Sequence, residues 1–289
     1  MITRPPWGGL ALPNLDLPHD VVILGLPFDA GACWRAGSAE APRRLREISA
    51  TSPAVSEEGH AVDPGRLRVR DAGDIAPGDG VTGDAARQAY FSRVEQAVVQ
   101  IFKTGALTGR DAFLLSIGGD HSVNIPLVRG FGRQFPEGFG LILLDAHPDL
   151  FDTYDGSPLT SPCPMRRALD SSRLKPEHLL ILGTRSYNQV ELDFMKEKGI
   201  RFVPAREIDR LGVESIVALA RQTMEGVGNV YVSLDIDLTR GLAQQLPVRA
   251  MDIVEIAPPL DPSGITLFLA LQIVFETFAV LAEKRTPYR

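Results

Sequence analysis

Six residues in three separate stretches carry side chains suited to holding a metal ion: His121, Asp145, His147, Asp149, Asp235 and Asp237. The densest stretch is 141–152, LILLDAHPDLFD, where an apolar run ends abruptly in Asp145, His147 and Asp149. In FLLSIGGDHS, at 113–122, His121 follows an apolar run, two glycines and Asp120. In VYVSLDID, at 230–237, Asp235 and Asp237 occupy alternate positions. Brought together, four carboxylates would repel one another, and some would be forced to take up protons unless cations cancelled the charge. Carboxylate and imidazole donors without a thiolate suit Mn²⁺ or a similar first-row ion. Two such ions, roughly 3.5–4 Å apart, can lower the pKa of a shared water and present it as hydroxide. The chemistry implied is that of a binuclear metallohydrolase.

These side chains need elements that deliver them to one place. An apolar run bounded by charge reads as a buried strand. Strand alternation puts Asp145, His147 and Asp149 on one side of the chain as it leaves the sheet. In an open parallel α/β sheet, ligands bind at the carboxyl ends of strands, so three distant stretches can meet at one edge. Further strands are expected at 20–27, 67–69, 179–183, 201–203 and 248–256, the last carrying Glu255. Helices are expected at 41–48, with Pro42 in the first turn, and at 84–103, 123–131, 166–169, 207–224 and 263–282. Strands alternating with helices predict an α/β fold, a doubly wound, mostly parallel β-sheet flanked by helices. The DAGD stretch at 71–74 reads as turn chemistry, and Asp71 and Asp74 are not placed at the metals. Arg35, Arg43, Arg44 and Arg46 each read as part of a solvated basic face.

The length of 289 residues allows two domains, but the dispersed motifs must converge, so 1–289 is read as one. A 44% apolar composition supports a sizeable core. A net charge of −6 with interspersed signs implies no nucleic-acid or membrane partner. Cys33 and Cys163 do not form a disulfide framework, and a cytoplasmic location is expected. Residues 1–18 lack the apolar core of a signal peptide and read as an irregular arm. The apolar stretch 263–282 is interrupted by Gln272 and Glu276 and reads as a core helix rather than a membrane span.

GGDHS at 118–122, DAHPD at 145–149 and SLDID at 233–237 resemble the metal motifs of the ureohydrolase family, which includes arginases, agmatinases, formiminoglutamase and guanidinobutyrase. The resemblance runs from about residue 21 to 284 and is nearer the agmatinases, through DAHPDLFD and the CPMRRAL segment. It implies an arginase-like three-layer α/β/α fold and two Mn²⁺ per chain. His121 and Asp149 would hold one ion and His147 and Asp237 the other, with Asp145 and Asp235 bridging. Asp149 would also be catalytic, orienting the attacking hydroxide. Glu255, in DIVE, would be the second catalytic group and would bind the guanidinium of a small guanidino substrate, whose planar donor fork a carboxylate matches. The products would be urea and an amine, and the assembly a homo-oligomer, a trimer or hexamer.

The chain departs from the family pattern twice. Ser161 stands where relatives carry a histidine, and serine titrates too far from neutrality to replace an acid–base imidazole. After SLDID, residues 238–247 lead almost directly into the DIVE strand, without the usual substrate loop and helix. These departures keep a second reading open, a catalytically weak or inactive member serving as a metal-binding or regulatory subunit. A single-zinc deacylase of related fold is disfavoured by the complete six-ligand set.

Overall fold

The computed structural model describes residues 5–11, 19–78, 80–107, 112–171, 173–234 and 246–284. Asp235, Asp237 and the segment read as shortened, through residue 245, lie outside the described residues. Eight strands form the sheet: β1 (Val21–Gly25), β2 (Val69–Asp74), β3 (Phe113–Ile117), β4 (Phe139–Leu144), β5 (Leu174–Thr184), β6 (Arg201–Pro204), β7 (Val230–Leu234) and β8 (Val248–Ile253). Their order is β2-β1-β3-β8-β7-β4-β5-β6, and every pairing is parallel. Strands β1, β3, β4 and β7 are buried throughout, which is why they read as continuous apolar runs rather than alternating ones.

The helices are α1 (Ala41–Ser49), α2 (Gly83–Leu107), α3 (Asn124–Gln134), α4 (Pro164–Ser171), α5 (Gln189–Lys198), α6 (Ala205–Leu211), α7 (Val213–Thr223) and α8 (Ile265–Glu283). They cover both faces of the sheet. On one face, Leu45 of α1, Ala220 of α7 and Val274 and Phe278 of α8 share a core with Ile23, Leu115 and Met251. On the other, Val94 of α2, Phe131 of α3, Met165 of α4 and Met195 of α5 pack with Leu114, Leu141 and Tyr231. Helix α8 is long and apolar enough to cross a membrane by length and composition, with a mean hydropathy of 2.1, yet one side of it fills the first core. The observed architecture is therefore the expected α/β/α arrangement, with a sheet that is wholly parallel among the described strands.

The topology decides where a site can form. Strands β3 and β4 follow one another in sequence but are separated in the sheet by β8 and β7. From β4 the chain winds outward through β5 to β6, then returns to fill the gap. The strand order thus switches over β8 and β7, and a crevice opens there at the carboxyl ends. The stretches bearing His121, Asp145 and Glu255 all leave the sheet beside it.

Three local outcomes differ from expectation. The helix read at 207–224 is two helices, because Gly212 has φ 76° and ψ 161°, outside helical space. Residues 71–74 complete β2 rather than form a turn. Arg46 is not part of a solvated face: its Nε and Nη2 donate to the two Asp71 carboxylate oxygens at 2.7 and 2.9 Å. The same Asp71 accepts the indole N–H of Trp7 at 2.7 Å, which buries that residue of the amino-terminal arm against the domain. Arg43 and Arg44 do lie on an exposed face, paired with Glu40 and Glu47.

Candidate active site

Beyond β3 the chain must turn sharply. A Cβ on Gly119 would sit 1.6 Å from the Phe28 carbonyl oxygen, so only glycine permits this approach. Asp120 then caps a short 3₁₀ turn, accepting the Ser122 N–H at 2.9 Å, and also takes the Gly31 N–H at 2.7 Å. Burial, reinforced by the nearby Glu255, pushes the Asp120 carboxyl up to about 7. The turn aims the His121 ring at the end of β4, and Nδ1 lies 2.7 Å from Asp149 Oδ2 and 3.0 Å from Asp145 Oδ2.

Strand β4 ends at Leu144, so alternation does not position the next residues. Turns do. Asp149 has a left-handed backbone, φ 52°, and its carbonyl accepts the Met165 N–H at 3.0 Å from the start of α4. The neighbouring Leu150 N–H donates to Glu191 Oε1 at 3.1 Å, and Glu191 belongs to the capping box of α5. Asp145 and Asp149 therefore converge on His121. The His147 side chain stays more exposed, with Nδ1 3.5 Å from Asp145 Oδ1, although it lines the same cavity.

The other edge of His121 is held by groups that the sequence reading did not single out. Its Nε2 is 3.0 Å from Ser233 Oγ on β7. Ser233 in turn donates to Asp252 Oδ1 on β8 at 2.7 Å. Asp252 Oδ2 accepts from the Tyr231 hydroxyl at 2.7 Å and from Asn124 Nδ2 at 2.8 Å. With its proton committed to Asp252, the Ser233 hydroxyl can only accept from His121. That keeps a proton on Nε2 and leaves Nδ1, which faces the two aspartates, as the nitrogen a metal ion would take. A signal for this network existed: Asp252 is a carboxylate between Met251 and Ile253 in a strand, and a buried charge requires partners.

Glu255 follows β8 with φ 61°, fixed by its N–H donating to the Gly119 carbonyl at 2.9 Å. Its Oε1 accepts the His121 backbone N–H at 2.7 Å and the Ser161 hydroxyl at 3.1 Å. Ser161 is itself tethered by its N–H to the Gly31 carbonyl at 3.0 Å. Ser161 thus serves as a donor to the carboxylate. Of the residues singled out in the sequence, the structure brings together His121, Asp145, Asp149 and Glu255, with His147 at their side. Asp235 and Asp237 fall outside the described residues.

The cluster fits a cation. One donor atom from each of His121, Asp145 and Asp149 lies within 4.8 Å of the others, and all three residues are buried. Burial and the Asp145 charge push the Asp149 carboxyl up to about 7. Burial alone would depress His121, but Asp149 and Asp145 outweigh it and hold the imidazole well above its ordinary value. At Asp145 burial is overcome by His121 and His147, which take that carboxyl down to about 2. Protons and a metal ion compete for these same lone pairs. The cluster opens into a cavity of about 600 Å³, whose lining also includes Trp34, Arg35, Tyr154, Tyr187 and Leu260.

The model of the Arginase family matches residues 19–240 and 238–279, two segments that overlap at 238–240. Guanidinopropionase from Pseudomonas aeruginosa is 33% identical over 291 residues, covering 91% of this chain and 87% of its own. A mitochondrial agmatinase from Gallus gallus is 28% identical over 293 residues, covering 92% and 82%. The solved structure of proclavaminate amidinohydrolase from Streptomyces clavuligerus superposes with a TM-score of 0.81 at 25% identity, covering 97% of this chain and 98% of that one.

Proposed function

The chain belongs to the arginase family, and from that premise we propose that it is a binuclear manganese hydrolase that cleaves a guanidino C–N bond, releasing urea and an amine. The observation that carries this reading is the meeting of His121 Nδ1, Asp145 and Asp149 in one cavity with Glu255. The metal ligands would be those three residues with His147, Asp235 and Asp237. When bound, the ion pair supplies Lewis acidity and a water that is nucleophilic near neutral pH.

The chain's own groups do the rest. Glu255 receives the guanidinium, whose N–H fork matches a carboxylate. Its Oε1 is already oriented by the His121 N–H and the Ser161 hydroxyl. Asp149 accepts a hydrogen bond from the attacking group and fixes its direction toward the guanidinium carbon. Asp252, through Ser233, keeps His121 in the tautomer that presents Nδ1. Attack at the guanidinium carbon and cleavage of the bond to the alkylated nitrogen yield urea and an amine. We further propose that residues 1–289 form one domain, that the protein works in the cytoplasm, and that it assembles as a homo-oligomer, a trimer or hexamer.

The test is urea release by the Mn²⁺-reconstituted protein from arginine, agmatine, 3-guanidinopropionate and 4-guanidinobutyrate, with a chelated control. The expected result is metal-dependent urea from at least one of them. A second reading, an inactive metal-binding subunit, is favoured by Ser161 in the histidine's place and by the shortened segment after Asp237. Two bound metals with no urea from any compound would establish that reading instead.

A further inference from the structure

Two loops wall the cavity on the side of Glu255. The loop after β1 supplies Ala32 and Trp34 to the lining, and the loop after β4 supplies Tyr154, Ser161 and Pro162. Strands β1 and β4 are not neighbours: β3, β8 and β7 lie between them in the sheet. Strand pairing therefore does not set the spacing of the two loops. Arg87, near the start of α2, reaches both. Its Nε and Nη2 donate to the Ala30 carbonyl at 3.1 and 2.7 Å. Its Nη1 donates to Ser157 Oγ at 3.2 Å and to Asp84 Oδ1 at 3.1 Å.

The second loop is shaped to receive this contact. Asp155 and Gly156 have φ of 48° and 77°, and Tyr154 and Ser157 exchange backbone hydrogen bonds of 2.9 and 3.0 Å across that tight turn. Ser157 is buried, and its hydroxyl donates to Asp84 Oδ1 while accepting from Arg87 and from the Leu159 N–H at 3.1 Å. That fills the one donor and two acceptor positions a hydroxyl has. A flat guanidinium fork presents N–H groups in fixed directions, so it meets three acceptors from three elements at once, which a lysine ammonium does not. With its side chain 17% exposed, Arg87 is a held bridge rather than a solvated charge.

Both ends of the bridge lead to Glu255. Ala30 precedes Gly31, whose carbonyl takes the Ser161 N–H at 3.0 Å. Ser157 shortly precedes Ser161, whose hydroxyl donates to Glu255 Oε1 at 3.1 Å. The groups that face the metal are held by other contacts, His121 by Ser233 and Asp149 by the Met165 N–H. Resting on the ureohydrolase reading above, we infer that Arg87 is a positioning residue for the substrate: it holds the two loops in register, and Ser161 then orients Glu255 toward the guanidinium.

The experiment has two readouts. The first is urea release by Mn²⁺-reconstituted parent, Arg87→Gln, Arg87→Lys, Ser161→Ala and the Arg87→Gln/Ser161→Ala double variant, using a compound the parent hydrolyses. The second needs no activity: labelling of each cysteine by N-ethylmaleimide in the folded protein, followed by mass spectrometry. Cys163 is buried in the second loop, with Sγ 3.8 Å from the Ser157 carbonyl oxygen, and reports its opening, while Cys33 is exposed. Arg87→Gln should raise KM about tenfold with metal content unchanged, since a small misplacement caused from a distance is costly, and Arg87→Lys should fall between it and the parent. Ser161→Ala should cost less in the Arg87→Gln background than in the parent, because the two residues act through one contact. Cys163 should label at least about tenfold faster in Arg87→Gln, at the same distance from its unfolding midpoint as the parent. A parent-like KM, additive effects of the two changes, or a Cys163 that stays protected would each overturn the inference while the ureohydrolase reading stands. If no compound yields urea, that reading falls, and labelling decides alone: faster labelling supports the clamp, and a protected Cys163 overturns it.

Discussion

Replacing Asp252 with asparagine tests whether the buried network sets the metal-binding tautomer of His121. Asp252 accepts three hydrogen bonds, one from Ser233 on Oδ1 and two from Tyr231 and Asn124 on Oδ2. An amide cannot accept all three. If its NH₂ faces Ser233, the serine hydroxyl must reverse and donate to His121 Nε2. The ring proton then moves to Nδ1, where it blocks the lone pair aimed at Asp145 and Asp149. If the NH₂ faces the other way, it meets the Asn124 NH₂, and one buried donor is left without an acceptor, a cost of about 1–3 kcal/mol. Loss of such an outer partner typically weakens metal binding about 10–100-fold. That corresponds to about 1.4–2.8 kcal/mol, since each 1.4 kcal/mol is tenfold. The assay is Mn²⁺ titration of the metal-stripped parent, Asp252→Asn and Ser233→Ala, with urea unfolding of each. Asp252→Asn should bind Mn²⁺ at least tenfold more weakly. Ser233→Ala removes the relay without supplying a reversed donor and should lose less. Parent-like Mn²⁺ affinity in a folded Asp252→Asn protein would refute the reasoning.

Two further outcomes are expected. Glu255→Gln keeps an oxygen for the His121 N–H and the Ser161 hydroxyl but removes the charge facing the guanidinium. It should lower kcat/KM for urea release about 10–100-fold, from a charge-assisted hydrogen bond of about 1.5–3 kcal/mol, with metal content unchanged by elemental analysis. Arg46→Ala should destabilise the fold by about 2 kcal/mol at pH 7, read from the urea unfolding midpoint, because the pair with Asp71 is largely but not wholly buried. Burial alone would raise the Asp71 carboxyl, but hydrogen bonds from Arg46, Trp7 and the Gly73 N–H outweigh it and the net shift is downward. A depressed carboxylate stabilises the fold above its unfolded pKa of about 4, so the gap between parent and variant should be full there and should close as pH falls through the folded value.

Much of the fold was legible because a wholly parallel sheet buries its strands on both faces and writes them as apolar runs. The 113–117 strand matches β3 residue for residue, and the 41–48 helix differs from α1 by one residue. The convergence of His121, Asp145 and Asp149 was legible because strand ends in such a sheet share one edge. Their mutual geometry was not, since it depends on the left-handed backbone of Asp149 and on the close approach of Gly119 to Phe28, neither of which has a periodic signature. The break at Gly212 was hidden by apolar residues that keep helical spacing on both sides of it. Arg46 was misread because a helix pattern shows which face a charge occupies, and only the tertiary fold brings Asp71 opposite it. The role of Asp252 was open to inference from its place between two apolar strand residues, but its partners come from other elements, β7 and α3.

The central claim is that the strand ends over the switch point form a two-metal centre. The most direct measurement is an anomalous difference map at the manganese edge from crystals of the Mn²⁺-reconstituted protein. Two peaks roughly 3.5–4 Å apart are expected, one of them in contact with His121 Nδ1 and Asp149, with Asp145 between the two. A fully reconstituted crystal showing no peak at these residues, or manganese bound elsewhere in the chain, would contradict it.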